Sequence, residues 1–452
     1  MFKKVVIANR GAVAARLVRT LSSMSVASVV LYSEADARLP YVAEADERRL
    51  IGPAPAPQSY LNQEAILEAA LATGAEAIHP GYGFLSENYE FAEKVNRAGL
   101  TFIGPDPKWL KLLGDKTAAK EVMTAEGFPV SPSTGLLAGT MDEQIRAAAA
   151  VGFPLLIKPA NGGGGIGMTP VESIDKLPAA IESASKLAAR SFGQAALYAE
   201  RLLINPRHVE FQIVADRHGR AVHLFERDCS TQRRRQKVVE EAGAPNISAA
   251  GLAAMADRAA EVMGRQGYDH LGTVETLYSP ETGFSFLEVN PRLQVEHGVT
   301  EEVTGLDLVA LQIKLAAGES LGGALPNRPA AVVGHAIEAR IYAEDPVKFF
   351  PSPGPLKVFR PPKGKNVRVE TGFAEGGVIT PNYDPMIALV IVKADSRLAA
   401  LDLMEEALGE FVVEGIKTNI PFIRGMMKYE PFREGRVHTG LAEEYLRSRI
   451  SA

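Results

Sequence analysis

The chain has 452 residues, with 49 Lys+Arg against 54 Asp+Glu and a formal charge of −5. Its 46% hydrophobic and 23% charged residues are ordinary for a globular protein, and the length predicts about three domains of ~150 residues. The mild acidity argues against a dedicated nucleic-acid binder, and the single cysteine, Cys229, excludes a disulfide scaffold or multi-cysteine metal site.

The N-terminal apolar run is too short for a signal peptide. No stretch approaches the ~20 apolar residues of a bilayer span, so the expectation is a cytoplasmic enzyme with no membrane partner. Residues 4–8 predict a strand, followed by an Ala/Leu/Val helix to about residue 23. Residues 27–32 predict a second strand, 63–73 a helix, and AEAIHP a strand ending near His79. A helix near 87–97 precedes the run LTFIGP at 100–105. Strands alternating with helices predict a doubly wound parallel sheet, ending near residue 113. A helix from 115 and a Pro/Ser/Thr/Gly loop follow. The middle reads as α+β, with strands at 153–159, 195–203, 208–216 and 219–226. A helix at 248–266 and strands at 270–278 and 284–290 complete it. From about 331, short strands broken by PSPGP and RPPKGK predict a third, mainly antiparallel domain. Helices at 397–411 and near 439–449 end the chain.

The loop Asn161–Gly167 contains GxGxxG, but Pro170 and a polar stretch intervene before any helix. A dinucleotide fingerprint needs the helix to open inside the motif. Four consecutive glycines beside Lys158 instead suit a flap that brings backbone N–H groups onto phosphate; the plainer alternative is a flexible hairpin turn. In the 270–290 hairpin, a turn centred between Glu281 and Thr282 sets Glu275 opposite Glu288 and Thr273 opposite Asn290. Facing carboxylates repel unless a hard divalent cation sits between them. The apolar run around Glu288 argues against an exposed pair, which favours Mg²⁺ or Mn²⁺ chelation for a nucleotide. From Glu288 every second residue is polar: Asn290, Arg292, Gln294, Glu296. Period two puts them on one side of an extended chain: a solvated edge, or a floor holding an anion beside a base. The stretch 226–241 carries both signs and reads as an ion network near an anionic substrate. Cys229, without an adjacent histidine, reads as structural, as do His79 and His297.

Together these motifs resemble biotin carboxylase, of the ATP-grasp superfamily. The resemblance covers nearly the whole chain: IANRG at 7–11, HPGYGFLSEN at 79–88, GDK at 114–116, the Gly-rich loop and NPRHVEFQ at 205–212. It continues through ERDCS and QKVVEEA within 226–242, FLEVNPRLQVEH at 286–297, EARIYAEDP at 338–346 and GIKTN at 415–419. It implies an N-terminal pre-ATP-grasp domain (1–113), an ATP-grasp domain (114–330, lid about 131–203) and a C-terminal biotin carboxylase domain (331–452).

The implied activity is carboxylation of biotin by bicarbonate through carboxyphosphate, giving N1′-carboxybiotin, ADP and phosphate. The resemblance implies that Lys116 and Lys158 bind ATP phosphates under a lid carrying Gly163, Gly164 and Gly165. Glu200, Arg201 and Leu203 would line the adenine pocket, with His208 and Gln232 near the nucleotide and Leu277 also among the residues that bind it. Glu275, Glu288 and Asn290 would hold two Mg²⁺ or Mn²⁺ ions. Lys237, Arg292, Gln294 and the Val295 backbone would hold bicarbonate, Glu296 would be the general base, and Arg340 would stabilise the biotin enolate. The chain departs from the family pattern at Ala12, Ile166, Arg235, Gly298 and Leu389. Without a biotinylation motif or a carboxyltransferase segment, it is expected to act on a biotin carboxyl carrier protein, with carboxyltransferase subunits, as a homodimer. The alternatives are another ATP-grasp ligase or a silent scaffold subunit.

Overall fold

The computed structural model describes residues 1–160, 167–192 and 196–450. Five strands open the chain: β1 (Lys4–Ile7), β2 (Ala27–Ser33), β3 (Glu47–Gly52), β4 (Ala77–His79) and β5 (Thr101–Phe102). They form a parallel sheet in the order β3-β2-β1-β4-β5. In β1, Val5, Val6 and Ile7 are fully buried, as a central parallel strand between two helical layers requires. β3 was not anticipated. Its Arg48, Arg49 and Leu50 are exposed, and a charged edge strand resembles a loop when read as sequence.

A four-stranded antiparallel sheet follows, with β6 (Ser133–Leu136), β7 (Leu155–Pro159), β8 (Thr169–Val171) and β9 (Leu197–Arg201) in the order β6-β9-β7-β8. Helices Met141–Ala149 and Leu177–Phe192 cover it. The first was not anticipated; a Thr140–Glu143 capping box starts it. Leu155, Ile157, Ile181, Ala184 and Leu197 form a small core apart from the others.

The largest sheet contains β10 (Arg207–Ala215), β11 (Ala221–Arg233), β12 (Gln236–Ala242), β13 (Leu271–Ser279), β14 (Gly283–Asn290) and β15 (His335–Tyr342). After the short β16 (Gly354–Pro355) and β17 (Val358–Arg360) come β18 (Val367–Glu370), β19 (Val378–Ile379), β20 (Met386–Ala394) and β21 (Val412–Glu414). The order is β14-β13-β10-β11-β12-β15-β20-β18, and every pairing is antiparallel. The middle and C-terminal regions therefore share one sheet, joined where β12 meets β15. β11 and β12 are linked by Arg234 and Arg235, at φ 49° and 67°. Two left-handed residues make the tight turn that normally selects Asn-Gly, so the basic run is the tip of a hairpin.

β10 shows how the sheet separates core from site. Val209, Phe211 and Ile213 pack with Leu252, Ala256, Ala259 and Met263 of helix Ala249–Arg265. His208, Glu210 and Gln212 point to the opposite face and are buried too. Among the described residues, no helix is long and apolar enough to cross a membrane.

Candidate active site

Four neighbouring strands line up one ionic row across the polar face. Glu288 on β14 lies opposite Glu275 on β13, Glu275 opposite Glu210 on β10, and Glu210 opposite Arg227 on β11. The Glu275–Glu288 pairing matches the sequence expectation, by a different route. The turn end pairs Ser279 with Gly283, and an irregularity beyond Thr276 then moves Glu275 onto Glu288. The turn centre and the bulge shift register in opposite directions and cancel. Glu288 is only part-buried, its side chain 28% exposed, because β14 is the sheet's edge.

Bulges also explain why residues three apart share this face. Register slips on β11 between Asp228 and Thr231 and again on the β11–β12 pair beyond Thr231. They bring Arg227, Cys229 and Gln232, and Lys237 and Glu240, to the same side. Lys237 Nζ donates to Glu210 (2.7 Å), Glu275 (2.9 Å) and Glu296 (2.6 Å). Arg340 Nη2 donates to the other Glu296 oxygen at 2.8 Å, and its Nε to Glu240 at 2.6 Å. Arg227 donates to Glu210 (2.5 Å), Gln212, Thr300 and Thr273.

The alternating polar residues beyond Glu288 meet one another and Glu275. Arg292 donates to Asn290 (3.1 Å), to Gln294 (2.9 Å) and to Glu87. Gln294 donates to Glu275 at 2.9 Å. Val295 is half-buried, and its carbonyl lies 3.2 Å from His297 Nδ1. Among the residues expected near the nucleotide, Lys116 pairs with Glu288 at 2.6 Å. Lys158 pairs with Glu200 at 3.0 Å, and Lys120 lies 3.7 Å from it. Arg201 and Leu203 sit at and just beyond the end of β9, and Leu277 faces His208 across β10 and β13. His208 Nδ1 meets Gln232 at 2.8 Å and its Nε2 meets Glu275 at 3.0 Å. Gly163, Gly164, Gly165 and Ile166 lie outside the described residues.

Protonation follows from these contacts. Burial alone would raise the Glu296 pKa, but Lys237, Arg340 and Arg227 hold it well below the usual carboxylate range. Burial likewise opposes the charge of Lys237, and Glu210, Glu275 and Glu296 around it keep it firmly protonated. Burial first, then Glu210, push the Cys229 thiol up, which makes it a poor nucleophile. Its Sγ contacts Glu296 at 3.8 Å, as a small structural neighbour. His79 and His297 are buried, each bonded locally to backbone.

The oxygen-rich set fits a hard divalent cation. Glu275, Glu288 and Asn290 would be the oxygen donors, and in the structure the two carboxylates are neutralised by Lys237 and Lys116. His208, Glu210 and Glu275 also offer donor atoms within 4.8 Å of one another, but the Lys237 ammonium already fills the cation position between the two carboxylates.

Sequence reasoning did not single out Glu87, Glu210 or Glu338, and it placed Arg227 and Glu240 only within the ion network of 226–241. The alternation His208-Glu210-Gln212 in an otherwise apolar strand was a readable signal for Glu210. Glu240 and Glu338 carry no such mark, because their pairing is decided only when β12 meets β15. Among the departures, Ala12 is buried in helix Gly11–Ser23, and Leu389 lies opposite Arg340 on β20.

Three family profiles match the chain. "Biotin carboxylase, N-terminal domain" covers residues 1–110, "Carbamoyl-phosphate synthase L chain, ATP binding domain" covers 115–324 and "Biotin carboxylase C-terminal domain" covers 338–444. Biotin carboxylase of Halalkalibacterium halodurans is 46% identical over 99% of this chain and 98% of its own length. Biotin carboxylase of Haemophilus influenzae is 45% identical over 99% of this chain and 99% of its own. A Campylobacter jejuni biotin carboxylase structure superposes with TM-score 0.93 at 40% identity, covering 98% of this chain and 99% of that one. The biotin carboxylase domain dimer of Hydrogenobacter thermophilus 2-oxoglutarate carboxylase, solved with MgADP and bicarbonate, also gives 0.93 at 40% identity, covering 98% of each. Fold, motif order and full-length similarity agree: the chain belongs to the biotin carboxylase family.

Proposed function

We propose that the protein carboxylates biotin with bicarbonate at the expense of ATP, the first half-reaction of a biotin-dependent carboxylase. The observation that carries this reading is Glu296, fully buried and held between Lys237 on one oxygen and Arg340 on the other. Bicarbonate is a poor nucleophile, and a positioned carboxylate that takes its proton improves it. With both cations on it, Glu296 is a weak base. Lys237 turning to bicarbonate and Arg340 turning to the ureido oxygen of biotin would each release it, so its basicity rises as substrates bind. Attack on the γ-phosphate then gives carboxyphosphate, whose charge Lys237 and Arg292 stabilise.

Gln294 and the Val295 backbone complete the bicarbonate pocket in this reading. Lys116 and Lys158 hold ATP phosphates. Glu200, Arg201, Leu203, His208, Gln232 and Leu277 surround the nucleoside, and Gly163–Gly165 belong to the lid that excludes water. Glu275, Glu288 and Asn290 would hold Mg²⁺ or Mn²⁺, which when bound neutralises phosphate oxygens. The reading divides the chain at about 113 and 330, with the lid over about 131–203. Its partners are a biotin carboxyl carrier protein, carboxyltransferase subunits and a second copy of the chain.

The test is ATP cleavage with Mg²⁺ and bicarbonate, with and without free biotin. Biotin should stimulate turnover, and Glu296→Gln should lower the stimulated rate by about 10²–10⁴-fold with nucleotide binding retained. A folded protein whose ATP turnover ignores biotin would refute the reading.

A further inference from the structure

Five carboxylates, Glu210, Glu240, Glu275, Glu296 and Glu338, share the buried polar face with three permanent cations, Arg227, Lys237 and Arg340. His208 faces Glu275, which raises its pKa against the effect of burial. Four of the carboxylates accept hydrogen bonds from cations. Glu338 is the fifth. It is fully buried, and neither of its oxygens has a hydrogen-bond partner among the described residues. Glu240 Oε2 is unpartnered too.

The surroundings supply Glu338 with no cation of its own. Its cross-strand neighbours are Glu240 on β12 and Ile391 on β20. Gly298 bounds a third side without a side chain; a Cβ there would stand 3.2 Å from Glu338 Oε2. Arg340, two residues along β15, is engaged by Glu240 and Glu296. Arg368 on β18 is shared among Glu301, Glu302 and Glu370. The Tyr82 phenol senses Glu338, Arg340, Glu370 and Asp384 but stays neutral, because burial pushes its pKa up. An ionised carboxylate without partners is strongly disfavoured in such a place. Two directly opposed carboxylates cannot both ionise cheaply.

We propose that Glu240 and Glu338 hold one proton between them, with Glu338 the neutral acid, and that this neutrality makes Glu338 a positioning residue for Arg340. The second part rests on the reading that Arg340 meets the ureido oxygen of biotin. Glu240 keeps the charge because it accepts from Arg340 Nε at 2.6 Å. The proton turns two orphaned acceptors into a donor and an acceptor. Burial and the Glu240 charge push Glu338 well above the ordinary carboxyl range, while burial lifts Glu240 only to about 7. A neutral Glu338 leaves Arg340 facing two carboxylates. Ionising Glu338 adds a third and draws the guanidinium's field back from the oxyanion it should stabilise.

The experiment uses the full chain and two readouts. Infrared difference spectra across pH should show the carbonyl stretch of a buried protonated carboxyl, and Glu338→Gln should remove it. The kcat/KM for free biotin should fall at alkaline pH, and in Glu338→Gln that limb should vanish or move up by about one pH unit or more. Glu338→Leu, an apolar second variant, should also lack the band. The parent's band, titrated with pH, needs no variant to fold. No protonated-carboxyl band in the parent, or a band that survives both substitutions, overturns the shared proton. An unmoved alkaline limb in folded Glu338→Gln overturns the positioning role. A parent chain without biotin-stimulated turnover overturns the reading of Arg340 and the positioning role with it, while the band still decides the proton.

Discussion

Glu241 shows how one buried carboxylate can carry much of a joint's pH dependence. It lies on β12 beside the Glu240–Glu338 pair and bonds His335 at 2.7 Å and Arg397 at 2.7 Å. It thus ties β12 to β15 and to helix Arg397–Glu410. Burial would raise its pKa, but the His335 hydrogen bond and the Arg397 charge win and hold it at about 2. In the unfolded chain it returns to ~4.3. The folded state therefore binds this proton less tightly. The stabilisation is fully present above the unfolded value and is lost as pH falls from about 5 to about 2. Its size is about 3 kcal/mol. Denaturant midpoints measured across that window should fall steeply for the parent and more shallowly for Glu241→Gln. Identical acid limbs would sink this account.

At the scale of elements, the site depends on where strands slip and where a helix may approach. Helix His297–Thr304 rests on the sheet through Gly298. A Cβ at Gly298 would meet Ile391 Cδ1 at 2.4 Å, and Ile391 is enclosed by Val299, Val303, Ala242 and Ala336. Gly298→Ala should therefore destabilise the fold by about 1–3 kcal/mol through overpacking. Ile391→Val removes the offending methyl, so the double variant should recover part of the loss, with a coupling of about 0.5 kcal/mol or more. Additive single effects in urea titrations would rule out this contact. The same crowding bears on the site, because this helix follows Glu296 directly and lies over Glu338.

For the whole molecule, the decisive feature is the sheet continuous from β14 to β18. It crosses the boundary near residue 330 that composition suggests. Residues of β15 and β20 share a core with β1, β2 and helix Gly11–Ser23. Fragment 1–330 would lose three strands of that sheet and leave β12 as a bare edge. We expect it to lack cooperative unfolding and to bind nucleotide poorly. A fragment that unfolds cooperatively, with near-UV dichroism like the parent's, would show instead that the first two regions fold alone.

Several parts of this picture were readable from residue order alone. The βα alternation of the first 100 residues follows from apolar runs and helical periodicity. The Glu275–Glu288 pairing was anticipated because an offset turn centre and an unforeseen bulge cancel, and alternation marks Arg292, Gln294 and Glu296 while leaving a solvated edge as the other reading. The two alternations are local regularities, and local chemistry decides them. The charged edge strand β3, the Arg234–Arg235 turn and the bulges on β11, β12 and β14 were not readable. Each is a local exception imposed by a neighbour: an edge that tolerates charge, a turn forced by strand twist, a register adjusted to a partner. The partners of Glu240, Glu338 and Arg340 lay further still from view, because they come from strands almost 100 residues apart. The sequence by itself determined which residue types reach the polar face and in what order along each strand. Only the tertiary structure decided which carboxylates receive a cation and which is left without one, because charge balance in a buried site is a property of strands meeting across the sheet.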